Sequence, residues 1–446
     1  MKEDKQSLQL KWVKKLVQIK PNEVAAAVLS FVFLFCLMVA YFILKPLRDA
    51  QVSDWSDAEL SSVWTITFLF SLFAVSAYSA LVSRINFRIL VPALYFTFAL
   101  VFLLFYFLTI SDSGNEDIQK AFYIWMSLFA LFHLSVFWSF MSDLFNPEQA
   151  TRLFAFIATG SSLGAIVGPS IAVLFTSQLG LSNLLLIATI LLLIPVPIII
   201  YLENQKRRSI LDQDHHLEPA ELNLIGGNVL SGFKALFQNH YLLLIALFVL
   251  LYASIGSFIY FHIKNLLAVY DEESRAQIWA GIDLSVNILS VLTAWFATSR
   301  IVNRFGLALT LSLMPVVMIF GLLTLSLFPL VSIAMTVQAI RRAGNYAITQ
   351  PAREMLFTKV SRQDRFKSKP VIDIVVYRGA DMVSGWVFTG LTQGLNFGLS
   401  AVAVVGALIA AGWAAISIPL GKRYDNLPQS SSAAAIIVDS DEAGHL

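Results

Sequence analysis

Apolar residues along this chain come in long unbroken runs, separated by short polar turns in which Lys and Arg concentrate. The runs fall at roughly 24–44, 59–82, 89–110, 121–142, 153–176, 182–202, 241–266, 277–298, 307–328, 329–350, 371–393 and 398–420. Each is close to the ~20 residues that a helix needs to cross ~30 Å of hydrocarbon. The pattern predicts an all-α integral membrane fold with 12 transmembrane helices. The fifth run is rich in small residues, from Ala158 and Gly160 to Gly164, Ala165 and Gly168. Small side chains let helix backbones approach where lipid supplies no hydrophobic drive. That helix is expected to lie centrally or to move against its neighbours. The ninth and tenth runs nearly merge at Pro329.

The polar turns set the topology. With the N-terminus inside, the outer segments hold only Lys45, Arg48, Lys120, Lys264 and Arg275 among the basic residues. They also hold two acidic runs, Asp112, Glu116 and Asp117, then Asp271, Glu272 and Glu273. Cytoplasmic segments of membrane proteins carry the excess of Lys and Arg. Both termini are therefore expected in the cytoplasm of a bacterial inner (plasma) membrane. Composition agrees: 57% of residues are apolar and only 13% charged, against about a quarter charged in a soluble globule. Mean hydropathy is +0.72. The net charge of +2, spread between the runs, does not suit a nucleic-acid partner. Cys36, the single cysteine, lies inside the first run and reads as a small core residue. Charges from Lys2 to Lys20 and a long first run without a small-residue cleavage site argue against a cleaved signal peptide.

The longest polar interruption, 203–240, divides the chain. The expected domains are a cytoplasmic segment 1–23, a six-helix bundle 24–203, a linker 204–240, a second six-helix bundle 241–420 and a cytoplasmic tail 421–446. The linker carries His215 and His216 and an amphipathic stretch from Leu222 to Phe237. Adjacent residues on a helix point about 100° apart, and no further ligands cluster there, so neither a metal nor another cofactor is expected. The halves echo one another. The second run ends at Ser83-Arg84-Ile85-Asn86-Phe87-Arg88, and the eighth at Ser299-Arg300-Ile301-Val302-Asn303-Arg304-Phe305-Gly306. Duplicated six-helix halves with a basic turn after the second helix resemble the major facilitator superfamily. That family's loop motif contains Asp-Arg-x-Gly. The second-half turn keeps Arg304, Phe305 and Gly306, with Asn303 in place of the acid, and the first-half turn is more degenerate.

Ionisable groups at membrane depth are costly and mark function by default. Four groups stand out. Lys45, Arg48 and Asp49 close the first run, where Pro46 is expected to kink or end the helix. The two cations admit a plain reading as snorkelling anchors, with Asp49 neutralising Arg48. Asp283 and Asn287 share one face of the eighth run. Arg341 and Arg342 lie mid-run, followed by Asn345, Tyr346 and Gln350, with no carboxylate within a turn. They must face a watery cavity, an acid on another helix such as Asp283, or an anionic substrate. The guanidinium fork matches phosphate or carboxylate with paired hydrogen bonds. Arg378 and Asp381, three apart, make either an intrahelical ion pair or part of a site. His133 is either a proton relay or a core histidine. Between the tenth and eleventh runs, Arg353, Glu354 and the basic stretch Arg365 to Lys369 read as an orientation signal or as a cytoplasmic funnel for anions.

Three segments resemble the nucleotide (ATP/ADP) translocase family of plastids and intracellular bacteria. That family's first helix ends in Tyr-x-Ile-Leu-Arg-Asp-x-Lys-Asp. Tyr41, Ile43, Leu44, Lys45, Arg48 and Asp49 fill this pattern, with Pro46 replacing an acid. A Phe-Ala-Asn-type end of the fourth helix, then Ala-x-Arg-Phe and a Gly-rich fifth helix, is similar to Phe140-Met141-Ser142-Asp143, Ala150-Thr151-Arg152-Leu153 and Gly160. The family's Asp-Pro-Thr-Lys-Glu-Met and Lys-x-Lys-x-Lys-x-x-Ile-Asp read here Gln350-Pro351-Ala352-Arg353-Glu354-Met355 and Arg365-Phe366-Lys367-Ser368-Lys369-Pro370-Val371-Ile372-Asp373. Glu354 and Asp373 are retained, and Gln350 replaces an acid.

The resemblance implies a monomeric secondary transporter of ATP/ADP-type nucleotides, working by alternating access about a midplane site. Lys45, Arg48, Arg341, Arg342 and Arg378 would hold phosphate oxygens, with Asp49 and Arg353 beside them. Tyr41, Tyr346 and Tyr377 would stack on a base, and Glu354 and Asp381 would form gating pairs. A transporter of another organic anion or metabolite, proton-coupled through His133, Asp283 and Asp381, is the first alternative. A membrane scaffold that transports nothing is the second. No nucleophile–base set, metal spacing or phosphate-binding glycine loop points to an enzyme.

Overall fold

The apolar runs become helices because no water is available at membrane depth to satisfy the backbone, so each segment must hydrogen-bond within itself. In the computed structural model, which describes residues 20, 23–82, 84–112, 114–211, 233, 236–296 and 298–427, none of these described residues forms a strand. The helices of the first half are α1 (Val24–Gln51), α2 (Asp57–Val82), α3 (Phe87–Ser111), α4 (Glu116–Leu144), α5 (Pro147–Leu193) and α6 (Pro195–Leu211). In the second half come α7 (His240–Leu267), α8 (Glu272–Phe296), α9 (Thr298–Leu327), α10 (Val331–Gly344), α11 (Gln350–Leu356), α12 (Arg362–Pro370), α13 (Tyr377–Thr389) and α14 (Leu399–Asn426). The linker histidines and nearly all of the amphipathic stretch lie outside the described residues.

Nine segments among the described residues are long and apolar enough to cross a membrane. One of them, Pro147–Lys206, is 60 residues long and turns at Gly180, whose φ of 74° no other residue type adopts easily. It therefore contains both the fifth and the sixth expected runs. The tenth and eleventh runs are not single helices. Wide π turns at Asn345–Thr349, Val371–Val376 and Gly390–Gly394 interrupt them.

Two local expectations change. Pro46 neither ends nor breaks α1, which continues to Gln51 and takes Lys45, Arg48 and Asp49 into the helix. Neighbouring helices and local adjustment let a membrane helix absorb a proline. The segment after Gln350, expected as a loop, is helical as α11, with Pro351 directly behind the π turn at Asn345–Thr349, whose local widening accommodates a residue without an N–H. Arg353 and Glu354 are thus helix residues.

The chain forms two compact units. Unit 1 comprises Met1–Trp55, Thr65–Glu221 and Ala268–Asn287, and unit 2 comprises Ser56–Trp64, Leu222–Leu267 and Ile288–Leu446. Unit 1 is organised around α1 packed on α5. A Cβ at Gly160, Gly164 or Gly168 would lie 2.7–2.8 Å from the carbonyl oxygens of Phe31, Phe35 and Val39, so only glycine permits this approach. Beside that seam lies an aromatic core of Phe33, Tyr95, Phe102, Phe129, Phe137 and Phe140, largely in edge-to-face pairs. At the entry of α1, Glu23 accepts both terminal nitrogens of Arg152, at 3.0 and 2.9 Å. In unit 2, α14 lies against α9, where a Cβ on Gly421 would meet the Ala308 Cα at 2.3 Å. Trp413, Phe248 and Tyr252 fill the space beside α7.

Candidate functional site

Unit 2 contains a cavity of about 410 Å³, lined by Tyr252, Arg341, Arg342, Asn345, Tyr346, Gln350, Arg353, Asp373 and Tyr377. Its walls come from α7, the end of α10, the π turn that follows, α11, the π turn at 371–376 and the first residue of α13. The polar walls coincide with the wide turns. A π turn adds a residue to the helical repeat, and such turns gather at functional sites.

Arg341 sits at the cavity's inner wall, only 7% exposed. Its Nε donates to Gln338 Oε1 at 3.0 Å, and its guanidinium carbon lies 5.5 Å from the Tyr252 ring centroid. Nη1 is buried without a hydrogen bond among the described residues. An orphaned buried donor costs about 1–3 kcal/mol, more on a charged group. Room for the guanidinium comes from Gly256, where a Cβ would stand 2.8 Å from Nη1. Arg353 is the second incompletely satisfied cation. Its Nη2 lies 3.5 Å from both Glu354 Oε1 and Asp373 Oδ1, while its Nε has no hydrogen bond among the described residues. Lys369 takes Glu354 at 2.5 Å. A buried guanidinium with a spare N–H, ringed by tyrosines and amides, is suited to an anion that carries a flat or hydroxylated body.

Of the residues expected from the sequence, the structure brings Arg341, Arg342, Tyr346 and Arg353 together around this cavity, with Tyr377 beside them. Arg378 and Asp381 follow on α13 but do not line it; Asp381 accepts from Ser257 Oγ at 2.8 Å. Lys45, Arg48 and Asp49 lie in unit 1, where they form a cluster with Asp283. The Lys45 ammonium donates to both Asp283 oxygens at 2.8 Å and lies 3.4 Å from Asp49. Arg48 donates to Asp49 Oδ1 through Nε at 2.9 Å and Nη2 at 2.6 Å, and lies over the Tyr123 ring. Asp283, which the sequence offered as an acid for the arginine pair, thus holds Lys45; the side chain that holds Arg341 is Gln338. His133 is buried, stacked on Tyr41 at 4.5 Å, with its Nδ1 donating to the Phe129 and Ala130 carbonyls.

Several contributors escaped the sequence reading. Tyr252 looks like any aromatic of an apolar run, and nothing in its neighbourhood of the chain marks it. Asp373 was visible only as a motif residue. Lys264 was counted as an outer-loop cation, yet it is 2% exposed and donates to Asp57 Oδ1 at 2.9 Å. Asn265 and Thr392 also donate to Asp57, at 3.0 and 2.8 Å.

Comparison with known proteins adds lineage to this geometry. The sequence pattern of the Major Facilitator Superfamily matches residues 24–365. ADP,ATP carrier protein 1 of Chlamydia trachomatis serovar D is 23% identical over 297 residues, covering 58% of this chain and 55% of that protein. The chain thus spans about half the length of the curated relative it matches. Among solved structures, that of the nucleoside transporter NupG is 12% identical with a TM-score of 0.61, covering 90% of this chain and 99% of that one. A POT family transporter in complex with 5-aminolevulinic acid is 13% identical with a TM-score of 0.63, covering 90% and 96%. At such identities these likenesses show the fold alone.

Proposed function

The chain belongs to the Major Facilitator Superfamily, and on that premise we propose that it is a secondary transporter of a phosphorylated organic anion of the nucleotide class, working by alternating access. The observation that carries this reading is Arg341, held in place by Gln338 and Tyr252 with a buried N–H left for a ligand. Arg342 and Arg353 add positive charge to the same cavity, and Tyr252, Tyr346 and Tyr377 offer ring faces to a base. The similarity to an ADP,ATP carrier favours nucleotides, exchanged one for another, over other organic anions. The two six-helix sequence halves act as the moving bundles, with both termini on the cytoplasmic side of a bacterial inner membrane. Glu354 and Lys369, with Arg353 and Asp373, serve as ion pairs that exchange partners when the anion arrives. Lys45 and Arg48 are already answered by Asp49 and Asp283, so they act on the cargo only after those pairs open.

The test is uptake of labelled nucleotide into vesicles reconstituted with the pure protein. Arg341→Ala is expected to abolish uptake with the protein still folded and monodisperse. Undiminished uptake in that variant would remove the cavity from the mechanism.

A further inference from the structure

An anion site selects by charge as well as by shape. Taking the cavity above as the cargo site, the structure sets how much negative charge it can hold. Three lining side chains are cationic, Arg341, Arg342 and Arg353, and one is anionic, Asp373. Three positive charges less one negative leave a net charge of at most +2 on the walls. Two neighbouring carboxylates stand beside cations outside the lining. Glu354 is paired with Lys369, and Asp381 stands three residues from Arg378. The other cluster of membrane-depth cations, in unit 1, is neutral: Lys45 and Arg48 are matched by Asp49 and Asp283. Of the five cations that the sequence offers to a polyphosphate, two, Arg341 and Arg342, line this cavity.

From this balance we infer that the cargo is a phosphomonoester, such as a nucleoside monophosphate, and that Asp373 is the residue that sets this preference against di- and triphosphates. A phosphomonoester carries about −1.5 to −2 charges at neutral pH, which stays within the upper limit set by the walls. Each further phosphate brings charge that the walls do not answer, and unpaired charge away from water is costly. Asp373 acts in two ways. Its Oδ1 lies 3.5 Å from Arg353 and is buried without a hydrogen bond among the described residues, so it can accept from a hydroxyl or amine on the cargo's body. Its negative charge also repels a phosphate chain reaching toward Arg353. A like charge placed against the wrong ligand discriminates alongside added attraction to the right one.

The inference rests on the anion-site reading, and the experiment separates the two. The purified full-length protein is titrated with adenosine mono-, di- and triphosphate at one fixed ionic strength and without divalent cations, and Kd is read by calorimetry. The monophosphate is expected to bind at least about tenfold tighter than the triphosphate, a difference of ~1.4 kcal/mol. Asp373→Asn, or Asp373→Ser should the first not fold, is expected to narrow that ratio by about tenfold, because it adds one net positive charge. A triphosphate that binds as tightly as the monophosphate overturns the inference and leaves the anion site standing. A ratio unchanged in both variants overturns the role of Asp373. If none of the three ligands binds, the anion-site reading fails and this inference fails with it.

Discussion

Arg341 combines a positive charge with a fixed orientation, and the two can be separated by experiment. Gln338 and the Tyr252 face hold the guanidinium, and the absence of a Cβ at Gly256 leaves it room. Lysine keeps the charge but loses the planar fork and the Gln338 contact. Arg341→Lys is expected to weaken anion binding about ten- to a hundredfold, the worth of a lost charge-assisted hydrogen bond, with little change in melting temperature; equal affinity would mean that only the charge matters. A second charged residue, Glu23, acts on stability instead. Arg152 holds its carboxylate down from 4.5 to about 2, helped by the Lys20 N–H and the Gln149 side chain. A carboxyl whose pKa is lower when folded contributes stability above its unfolded pKa and loses it as pH falls through the folded one. Melting temperature should fall from about pH 4.5 down to about 2, and Glu23→Gln should remove that part of the slope. The sequence showed that Arg341 had no nearby acid. It did not show that its neighbours would be a glutamine, a glycine and a tyrosine, because two of those come from a helix that is distant in the chain.

At the level of elements, the small residues of α5 were readable because their cause is local: lipid gives no hydrophobic drive, so close approach must come from small side chains. The structure turns that into a specific seam. Gly160, Gly164 and Gly168 face carbonyl oxygens of α1, which are backbone atoms and cannot rotate away. Gly164→Val is expected to cost about 1–3 kcal/mol, as overpacking does, and to lower the melting temperature. Gly412→Val, at an α14 position where a Cβ meets nothing within 4 Å, should leave it unchanged. Similar losses at both sites would show that the seam is not tight. The π turns at 345–349 and 371–376 were not readable. A run of apolar residues with embedded arginines predicts a helix, and the extra residue per turn appears only when tertiary packing selects it. For the same reason the tenth and eleventh runs were expected as plain spans, and α11 was expected as a loop.

For the whole molecule, the sequence reading divides the chain near 203–240, and each compact unit also takes in a segment from the other side of that stretch. Unit 2 takes in Ser56–Trp64 from the first half, and unit 1 takes in Ala268–Asn287 from the second. The exchanged segments are held by ion pairs between residues more than 200 positions apart. In unit 2, Lys264 meets Asp57 across 207 positions. In unit 1, Lys45 meets Asp283 across 238, and Arg275 reaches Asp54 at 2.6 Å. Periodicity reports on neighbours a few residues away, so none of these pairings was visible in the run pattern. A buried pair need not add to net stability, because desolvating both ions offsets most of their attraction. Removing one partner is different, since it strands the other charge. Lys264→Met leaves Asp57 with Asn265 and Thr392 as its partners among the described residues and is expected to cost about 3–5 kcal/mol. Lys264→Met with Asp57→Leu strands nothing and should recover most of that loss. Melting curves of the pure single and double variants decide the matter. If the double variant is no more stable than the single one, the pair fixes α2 through its geometry rather than by balancing charge, and the exchanged segment depends on Ser61, Thr389 and the aromatic contacts of Trp64 with Phe261.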